Sequence, residues 1–226
     1  MSKTFDTTLA IAAVGSIVTA LVAVFLFAPV EKTMGIVQKI FYFHLGSAAA
    51  AFLAFTTVFA ASVLFLVSRQ ARWDILAVSA AEAGVLFCTL VLVTGPLWAR
   101  PVWGHWWVWD PRLTTTLILW FLYVGYLVIR QAVPGGRGEI AAAVYGILAY
   151  ADVPIVYFSI RWWRGMHPQV IQKGGGGLAP GMAEPLLISI TAFAVLLLVM
   201  IRERAVLGNL EARVEHLEQF VREEYQ

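Results

Sequence analysis

Residues 40–68 read IFYFHLGSAAAAFLAFTTVFAASVLFLVS, a long run without a single charged side chain. An α-helix needs roughly 20 apolar residues to cross the hydrocarbon core of a bilayer, so this stretch is long enough to span a membrane. Similar apolar runs occupy residues 7–30, 75–99, 113–129, 140–160 and 185–201. Acids interrupt these runs only at Glu82 and Asp152. The sequence therefore predicts an all-α membrane protein built as a bundle of six transmembrane helices.

The composition of the whole chain agrees with a membrane location. Of its 226 residues, 60% are hydrophobic and only 13% are charged, and the mean hydropathy is +0.78. A water-soluble domain of this length has too little interior to bury that much apolar surface. The formal net charge is only +2, whereas a nucleic-acid-binding protein presents a clustered basic face. We therefore expect a lipid bilayer around the chain and no nucleic-acid partner.

We divide the chain into the six-span domain, residues 1–202, and a cytoplasmic amphipathic tail, residues 203–226. Apolar residues of the tail recur at alternating spacings of three and four, at Leu207, Leu210, Val214, Leu217 and Val221. This spacing predicts one apolar stripe along a helix. The charges of the tail include more acids than bases, whereas helices that lie on membranes are usually rich in Lys and Arg. The tail is therefore predicted to dock on a protein partner.

Six spans place both termini on one side of the membrane. The loops that follow spans one, three and five then share the opposite face, and these are the loop ending at His44, the loop Trp98–Arg112 and the loop Arg161–Glu184. Lys and Arg residues near the spans occur equally often on both sides, so the positive-inside rule gives no orientation. Within the last of these loops, Gly174–Gly177 is predicted to act as a flexible hinge.

The loop after the third span is dominated by tryptophan. Residues 98–112, called the Trp loop below, read WARPVWGHWWVWDPR and hold five of the chain's nine tryptophans: Trp98, Trp103, Trp106, Trp107 and Trp109. Tryptophan favours the headgroup region of a bilayer, so one explanation is an interfacial belt. Belts, however, spread around a protein at one depth, whereas five indoles in one bent loop form a compact platform. Such a platform suits a flat, apolar, polarizable ligand.

Two histidines flank this platform in the predicted topology. His44 lies at the start of the second span, and His167 follows the pair Trp162–Trp163 on the same face. Neutral imidazole is a common ligand of haem iron, so the two rings could coordinate a porphyrin iron from both sides. Cations on this face, among them Lys39 and Arg112, could bind the propionates. One histidine near a membrane interface is more often just a polar residue at a wet boundary, but two beside a tryptophan cluster favour the ligand role.

Asp110 closes the Trp loop and is predicted to have a structural role. Pro111 follows it, and the fourth span begins near Leu113, so a carboxylate here suits the N-terminus of a helix. Pairing with Arg112 is the other structural role open to this acid. His105 lies in the same loop and is left without a role.

Three segments carry a resemblance to a known family. WGHWWVWDPRLT, residues 103–114, resembles the tryptophan-rich WWD signature of haem-handling membrane proteins, in the form found in the CcmC family of cytochrome c maturation. KIFYFHLGSAA (39–49) and FSIRWWRGMH (158–167) resemble the two haem-histidine segments of that family. The resemblance covers all six spans in order. It implies His44 and His167 as axial ligands of haem iron, and it implies haem contacts for Trp103, Trp106, Trp107, Trp109 and Asp110.

The resemblance also implies a function, a location and partners. Members of the family hold haem b, iron protoporphyrin IX, at the periplasmic face of the bacterial inner membrane, with both termini in the cytoplasm. They deliver it to the haem chaperone CcmE, together with the small membrane protein CcmD and the ABC-type pair CcmA and CcmB. The chain is then expected to be a haem-delivery protein without turnover chemistry of its own, rather than an enzyme.

Other functions fit parts of the pattern. A haem lyase component of the CcmF or CcsA type shares the WWD loop, but CcmF is far longer, and CcsA-type synthases carry more spans and a different ending of the signature. A membrane haem oxidoreductase needs histidines deep in the spans, whereas both candidates here lie at span ends. A permease would draw on Glu82 and Asp152, since acids inside spans are functional candidates, although both could be structural polar pairs.

Cys88, the lone cysteine, is expected to be a small buried core residue.

Overall fold

The computed structural model describes residues 3–31, 34–133, 137–163, 165–167 and 177–224. Within these ranges the chain forms helices and no β-strand. Six helical segments are long and apolar enough to cross a membrane: Thr7–Phe27, Ile36–Ser68, Ala71–Trp103, Pro111–Ala132, Arg137–Trp162 and Ala183–Val214. The predicted bundle of six transmembrane helices is therefore confirmed. The predicted hinge, Gly174–Gly177, lies outside the described residues apart from Gly177.

The described part of the chain contains seven α-helices. They are α1 Lys3–Val22, α2 Ile40–Ser68, α3 Ala71–Trp103, α4 Pro111–Ala132, α5 Arg137–Ala149, α6 Asp152–Trp162 and α7 Ala183–Glu224. A π-helical turn, Ala23–Phe27, extends α1, and a 3-10 helix, Ile36–Lys39, leads into α2. Helices α5 and α6 together form the fifth span, which a turn at Tyr150 and Ala151 divides.

Local sequence determines where the helices on either side of the Trp loop end and begin. Helix α3 ends at Gly104, whose φ of 79° lies in the left-handed region that favours glycine and whose N–H donates to the carbonyl of Arg100. Helix α4 begins at Pro111, which has no N–H to leave unsatisfied. Asp110 caps α4 by accepting a hydrogen bond from the N–H of Arg112 at 2.9 Å. The predicted cap is therefore confirmed.

Helices α2 and α3 pack through small residues. Alanine is prominent among their buried side chains, at Ala50, Ala51, Ala54, Ala61, Ala77, Ala80, Ala81 and Ala83. A Cβ at Gly84 of α3 would lie 2.5 Å from Cε1 of Phe55 in α2. Phe55 is fully buried, and its ring stacks on Tyr123 of α4 with the centroids 3.7 Å apart. Lipid is as apolar as these side chains, so close contact between small residues, rather than apolar burial, holds such helices together.

Ion pairs join the helices towards the end of the bundle opposite the Trp loop. Arg130 of α4 pairs with Asp74 near the start of α3, and Arg204 of α7 binds Glu82 of α3 at 2.7 Å. Glu82 therefore forms a structural polar pair, which is one of the two roles that the sequence leaves open for it. Asp152 is buried, and one of its carboxylate oxygens has no hydrogen-bond partner among the described residues.

Helix α7 runs from Ala183 to Glu224 without a break. The tail is therefore a continuation of the sixth span and not a separate helix after it. Its predicted apolar stripe is exposed along its whole length, at Leu207, Leu210, Val214, Leu217 and Val221.

A methyl group added at Gly84 is expected to loosen the contact between α2 and α3. Gly84→Ala should lower the free energy of unfolding in detergent by about 1–3 kcal/mol, which is the usual cost of overpacking. Gly15→Ala is the matched control, because a Cβ there meets nothing within 4 Å, and it should be neutral or gain about 0.5–1 kcal/mol. Thermal unfolding followed by circular dichroism measures both variants. Equal destabilisation by the two changes would contradict the packing argument.

Candidate functional site

A cavity lies at the end of the bundle that carries the Trp loop. It holds about 1100 Å³ of space between atoms, part of which is open to the outside. The wall is formed by α2, α3, α4, α6 and two loops, and most of it is apolar, with Phe41, Leu45, Phe52, Val91, Leu92 and Leu113 among the side chains.

Half of the predicted site residues line this cavity: His44, Trp98, Trp103, Trp107, Arg112 and His167. The predicted loop Trp98–Arg112 is shorter in the structure, because Trp98 and Trp103 lie in the last turns of α3 and Arg112 lies in the first turn of α4. His44 is the fifth residue of α2, and His167 lies in the loop that follows α6. The fold therefore brings both histidines, part of the Trp loop and one guanidinium to the same enclosed space.

Four buried nitrogen atoms in the wall have no hydrogen-bond partner among the described residues. They are Nε1 of Trp98, Nε1 of Trp107, Nε of Arg112 and Nδ1 of His167. Each unpaired buried polar atom costs about 1–3 kcal/mol, so a group of them around one cavity is typical of a binding site. Indole and guanidinium N–H groups only donate, so they suit a ligand that carries acceptors such as carboxylates.

Asp110 positions the loop that carries His167. Its Oδ1 accepts from the N–H of Arg112 at 2.9 Å, and its Oδ2 accepts from the N–H of Met166 at 2.7 Å. Gly165 lies directly against the same carboxylate, and a Cβ there would overlap Oδ2. The acid is buried and does not line the cavity. In addition to the predicted cap, it ties the His167 loop to the start of α4.

His167 is in the form that binds metals. Burial, together with the nearby Arg112 and His44, lowers the pKa of His167 from its ordinary value of 6.5 to about 3. The imidazole is therefore neutral at physiological pH, and no proton has to leave before it can bind a metal. The ring of Trp103 packs edge-on beside it, with the centroids 6.5 Å apart.

The two predicted cations are placed differently. Arg112 lines the cavity, and its Nη2 donates to the carbonyl of Tyr157 in α6 at 2.8 Å, which leaves Nε for a ligand. Lys39 is buried outside the cavity wall, where its Nζ donates to the carbonyl of Phe25 at 2.9 Å. That carbonyl belongs to the π-helical turn that ends the first span. Lys39 therefore joins the first and second spans.

The five tryptophans of the predicted platform, together with the pair Trp162–Trp163, divide into an inner and an outer group. The outer tryptophans, Trp106, Trp109, Trp162 and Trp163, are all at least half exposed, and Trp109 reaches 76%. The inner tryptophans line the cavity and are Trp98, Trp103 and Trp107. Trp107 connects the groups, because its ring packs edge-on against Trp109 with the centroids 5.7 Å apart.

Sequence reasoning did not identify two residues that shape the site. Oγ1 of Thr94 lies 2.9 Å from Nδ1 of His44, and Gly165 accommodates Asp110. A signal for Thr94 exists, since the triplet Thr94–Gly95–Pro96 interrupts an apolar span one turn before Trp98. Gly165 carries no such signal.

The structure also places His105 and Cys88, to which the sequence assigns no role in binding. His105 is exposed and does not line the cavity. Cys88 is buried in the hydrophobic core, as expected, and borders the cavity there.

A family model and a relative from Escherichia coli that resemble this chain carry the same description. The model of the family CcmC, Heme exporter protein C, matches residues 1–219. A Heme exporter protein C from Escherichia coli strain K12 is 32% identical over 208 residues, which cover 91% of this chain and 84% of that protein.

Two further relatives extend the similarity to other organisms. A Heme exporter protein C from Bradyrhizobium diazoefficiens is 37% identical over 172 residues, which cover 75% of this chain and 65% of that protein's own length. A putative cytochrome c biosynthesis ccmC-like mitochondrial protein from Marchantia polymorpha is 32% identical over 167 residues, covering 74% of this chain and 71% of that protein. Because the family model matches the chain along nearly its whole length, the chain belongs to the Heme exporter protein C family, CcmC.

Proposed function

We propose that this chain holds haem b at the periplasmic face of the bacterial inner membrane and delivers it to the haem chaperone CcmE during cytochrome c maturation. The observation that supports this most directly is the convergence of His44, His167 and Arg112 on one largely apolar cavity. Haem b has the matching chemistry, namely a flat apolar ring, an iron that binds imidazole, and propionates that accept from N–H donors.

Each part of the wall has its own task in this proposal. His44 and His167 supply the two axial nitrogens, and the inner tryptophans pack against the macrocycle. The unpaired N–H groups of Arg112, Trp98 and Trp107 are available to the propionates. Haem is the cargo, so these residues bind and release it without making or breaking a covalent bond themselves. The open side of the cavity leaves an edge of the ring accessible to the partner.

The proposal includes an orientation and a set of partners. The cavity end faces the periplasm, where CcmE receives the haem, and both termini lie in the cytoplasm. CcmD and the ABC-type pair CcmA and CcmB complete the assembly. The exposed apolar stripe of the tail is on the cytoplasmic side in this orientation, and its docking on CcmA and CcmB stays a prediction.

Two of the alternative functions have less support from the described residues. An oxidoreductase that moves electrons across a bilayer needs histidines along its depth, whereas His44 and His167 line a cavity at one end of the bundle. A permease would need free acids along a path through the spans, but Glu82 is paired with Arg204, and of the two acids inside the predicted spans only Asp152 keeps an unpaired carboxylate oxygen among the described residues.

The visible spectrum of the purified, haem-loaded protein tests the proposal. The wild type should show a six-coordinate bis-histidine form, and His44→Ala and His167→Ala should each lose it because one axial nitrogen is gone. Added imidazole should restore the form by filling the vacated position. His105→Ala is the matched control, since His105 is exposed and outside the cavity wall. A wild-type spectrum from His44→Ala, or loss of the form in His105→Ala, would contradict the assignment.

The inner and outer tryptophans are expected to differ in their effect on haem affinity. Trp107→Ala removes a ring from the cavity wall, whereas Trp109→Ala removes one that is 76% exposed. Stacking of a flat ligand on an aromatic ring is worth ~1–3 kcal/mol, which is roughly 5–150-fold in the dissociation constant. Haem titration in detergent should show a loss of that size for Trp107→Ala and a smaller one for Trp109→Ala. The reverse order would argue that haem lies outside the cavity.

A methyl group at Gly165 is expected to displace His167. Gly165→Ala places a Cβ against Oδ2 of Asp110 and breaks the hydrogen bond from Met166, so the spectrum should resemble that of His167→Ala and respond to imidazole. Met166→Ala is the matched control, because it keeps the backbone N–H and removes a side chain that is exposed. If Gly165→Ala keeps the six-coordinate form, Asp110 does not position His167.

A further inference from the structure

Thr94 links His44 to the backbone of α3. Nδ1 of His44 lies 2.9 Å from Oγ1 of Thr94, and the same oxygen donates to the carbonyl of Leu90, one turn earlier, at 2.6 Å. The carbonyl of Val91 lies 3.5 Å away and is also only an acceptor. A threonine hydroxyl has a single hydrogen, and here it is donated to one of these two carbonyls. The oxygen of Thr94 therefore accepts the hydrogen bond from His44, and Nδ1 carries the hydrogen.

This arrangement determines the tautomer of His44. A neutral imidazole carries its hydrogen on one nitrogen only, so Nε2 keeps its lone pair for a ligand. Thr94 is itself held in a fixed direction by its bond back to Leu90 within the helix. Helix α3 thus orients the imidazole through this hydrogen bond.

We propose that Thr94 is a positioning residue that holds His44 in the tautomer and ring orientation in which Nε2 binds the iron of haem. The inference rests on the proposed function, in which His44 is an axial ligand. Thr94 itself lies outside the Trp loop and outside both histidine segments of the sequence. Histidines that bind metals usually donate their second ring N–H to an oxygen, and loss of that partner typically weakens metal binding by about 10–100-fold.

The second histidine has no equivalent support. Nδ1 of His167 is buried without a hydrogen-bond partner among the described residues, and its loop is held through the backbone of Met166 by Asp110. The ring of His44 is therefore oriented by a hydrogen bond to a side chain of a neighbouring helix, whereas the described residues give His167 a ring contact with Trp103 and a main-chain anchor at Met166. A change at Thr94 should consequently affect the His44 bond and leave the His167 bond in place.

The test compares variants of the full chain, purified in detergent and titrated with haem. Thr94→Val keeps the size of threonine and removes the oxygen, whereas Thr94→Ser keeps the oxygen. Thr89→Val is the matched control in the same helix. Thr89 makes the same bond back along the helix, to Val85 at 2.8 Å, and accepts from Nε1 of Trp120 at 2.8 Å, and it does not line the cavity.

Thr94→Val is expected to raise the haem dissociation constant about 10–100-fold and to lower the six-coordinate fraction, which imidazole should restore. Thr94→Ser and Thr89→Val should match the wild type in both readouts. If Thr94→Val does not fold, Thr94→Ala is compared with Thr94→Ser instead, because these two variants differ only in the hydroxyl.

Two outcomes would overturn the role of Thr94. In the first, Thr94→Val and Thr94→Ala keep the haem affinity and the spectrum of the wild type, while His44→Ala loses both. The other is an equal loss in Thr89→Val, which would report general packing of α3 and not orientation of His44. Failure of the proposed function looks different, because His44→Ala itself would then keep the wild-type spectrum.

Discussion

The carboxylate of Asp110 accepts a backbone hydrogen bond on each of its oxygens, and the geometry of the cavity depends on this pair. One bond starts α4 directly after the Trp loop, and the other anchors the chain beside His167. Hydrogen bonds to a charged acceptor are roughly twice as strong as neutral ones, and the burial of Asp110 keeps water from competing for them. One side chain therefore joins the loop that supplies the aromatic wall to the loop that supplies a ligand.

The other ligand depends on helix packing instead of loop anchoring. His44 and Thr94 belong to α2 and α3, whose axes approach closely because alanines and Gly84 leave room for Phe55. A second close contact, between Gly46 and the ring of Phe193, seats α2 against α7 only two residues beyond His44. In lipid, where apolar burial between helices gains little, such contacts hold the helix that carries the ligand.

Much of this arrangement is visible in the sequence, and the exceptions have physical reasons. Apolar runs of sufficient length reveal the six spans, and the parity of the loops brings His44 and His167 to one face. The sequence does not reveal which indoles of the Trp loop turn inward, since composition says nothing about the two sides of a loop. Lys39 donates to the carbonyl of Phe25 in a π-helical turn, a backbone form that the apolar run 7–30 does not reveal. The sequence also does not reveal the contact of Thr94 with His44 or that of Gly165 with Asp110, because each joins residues far apart in the chain.

The two bonds of Asp110 also change how substitutions at this residue should be interpreted. A variant that lacks this carboxylate loses the start of α4 and the anchor of the His167 loop in a single step. Reduced occupancy of the cavity in such a variant would then measure a displaced imidazole, and it would say nothing about direct contact between the acid and the cargo. Invariance of this aspartate among relatives would, on the same reasoning, indicate selection for loop geometry and not for ligand recognition.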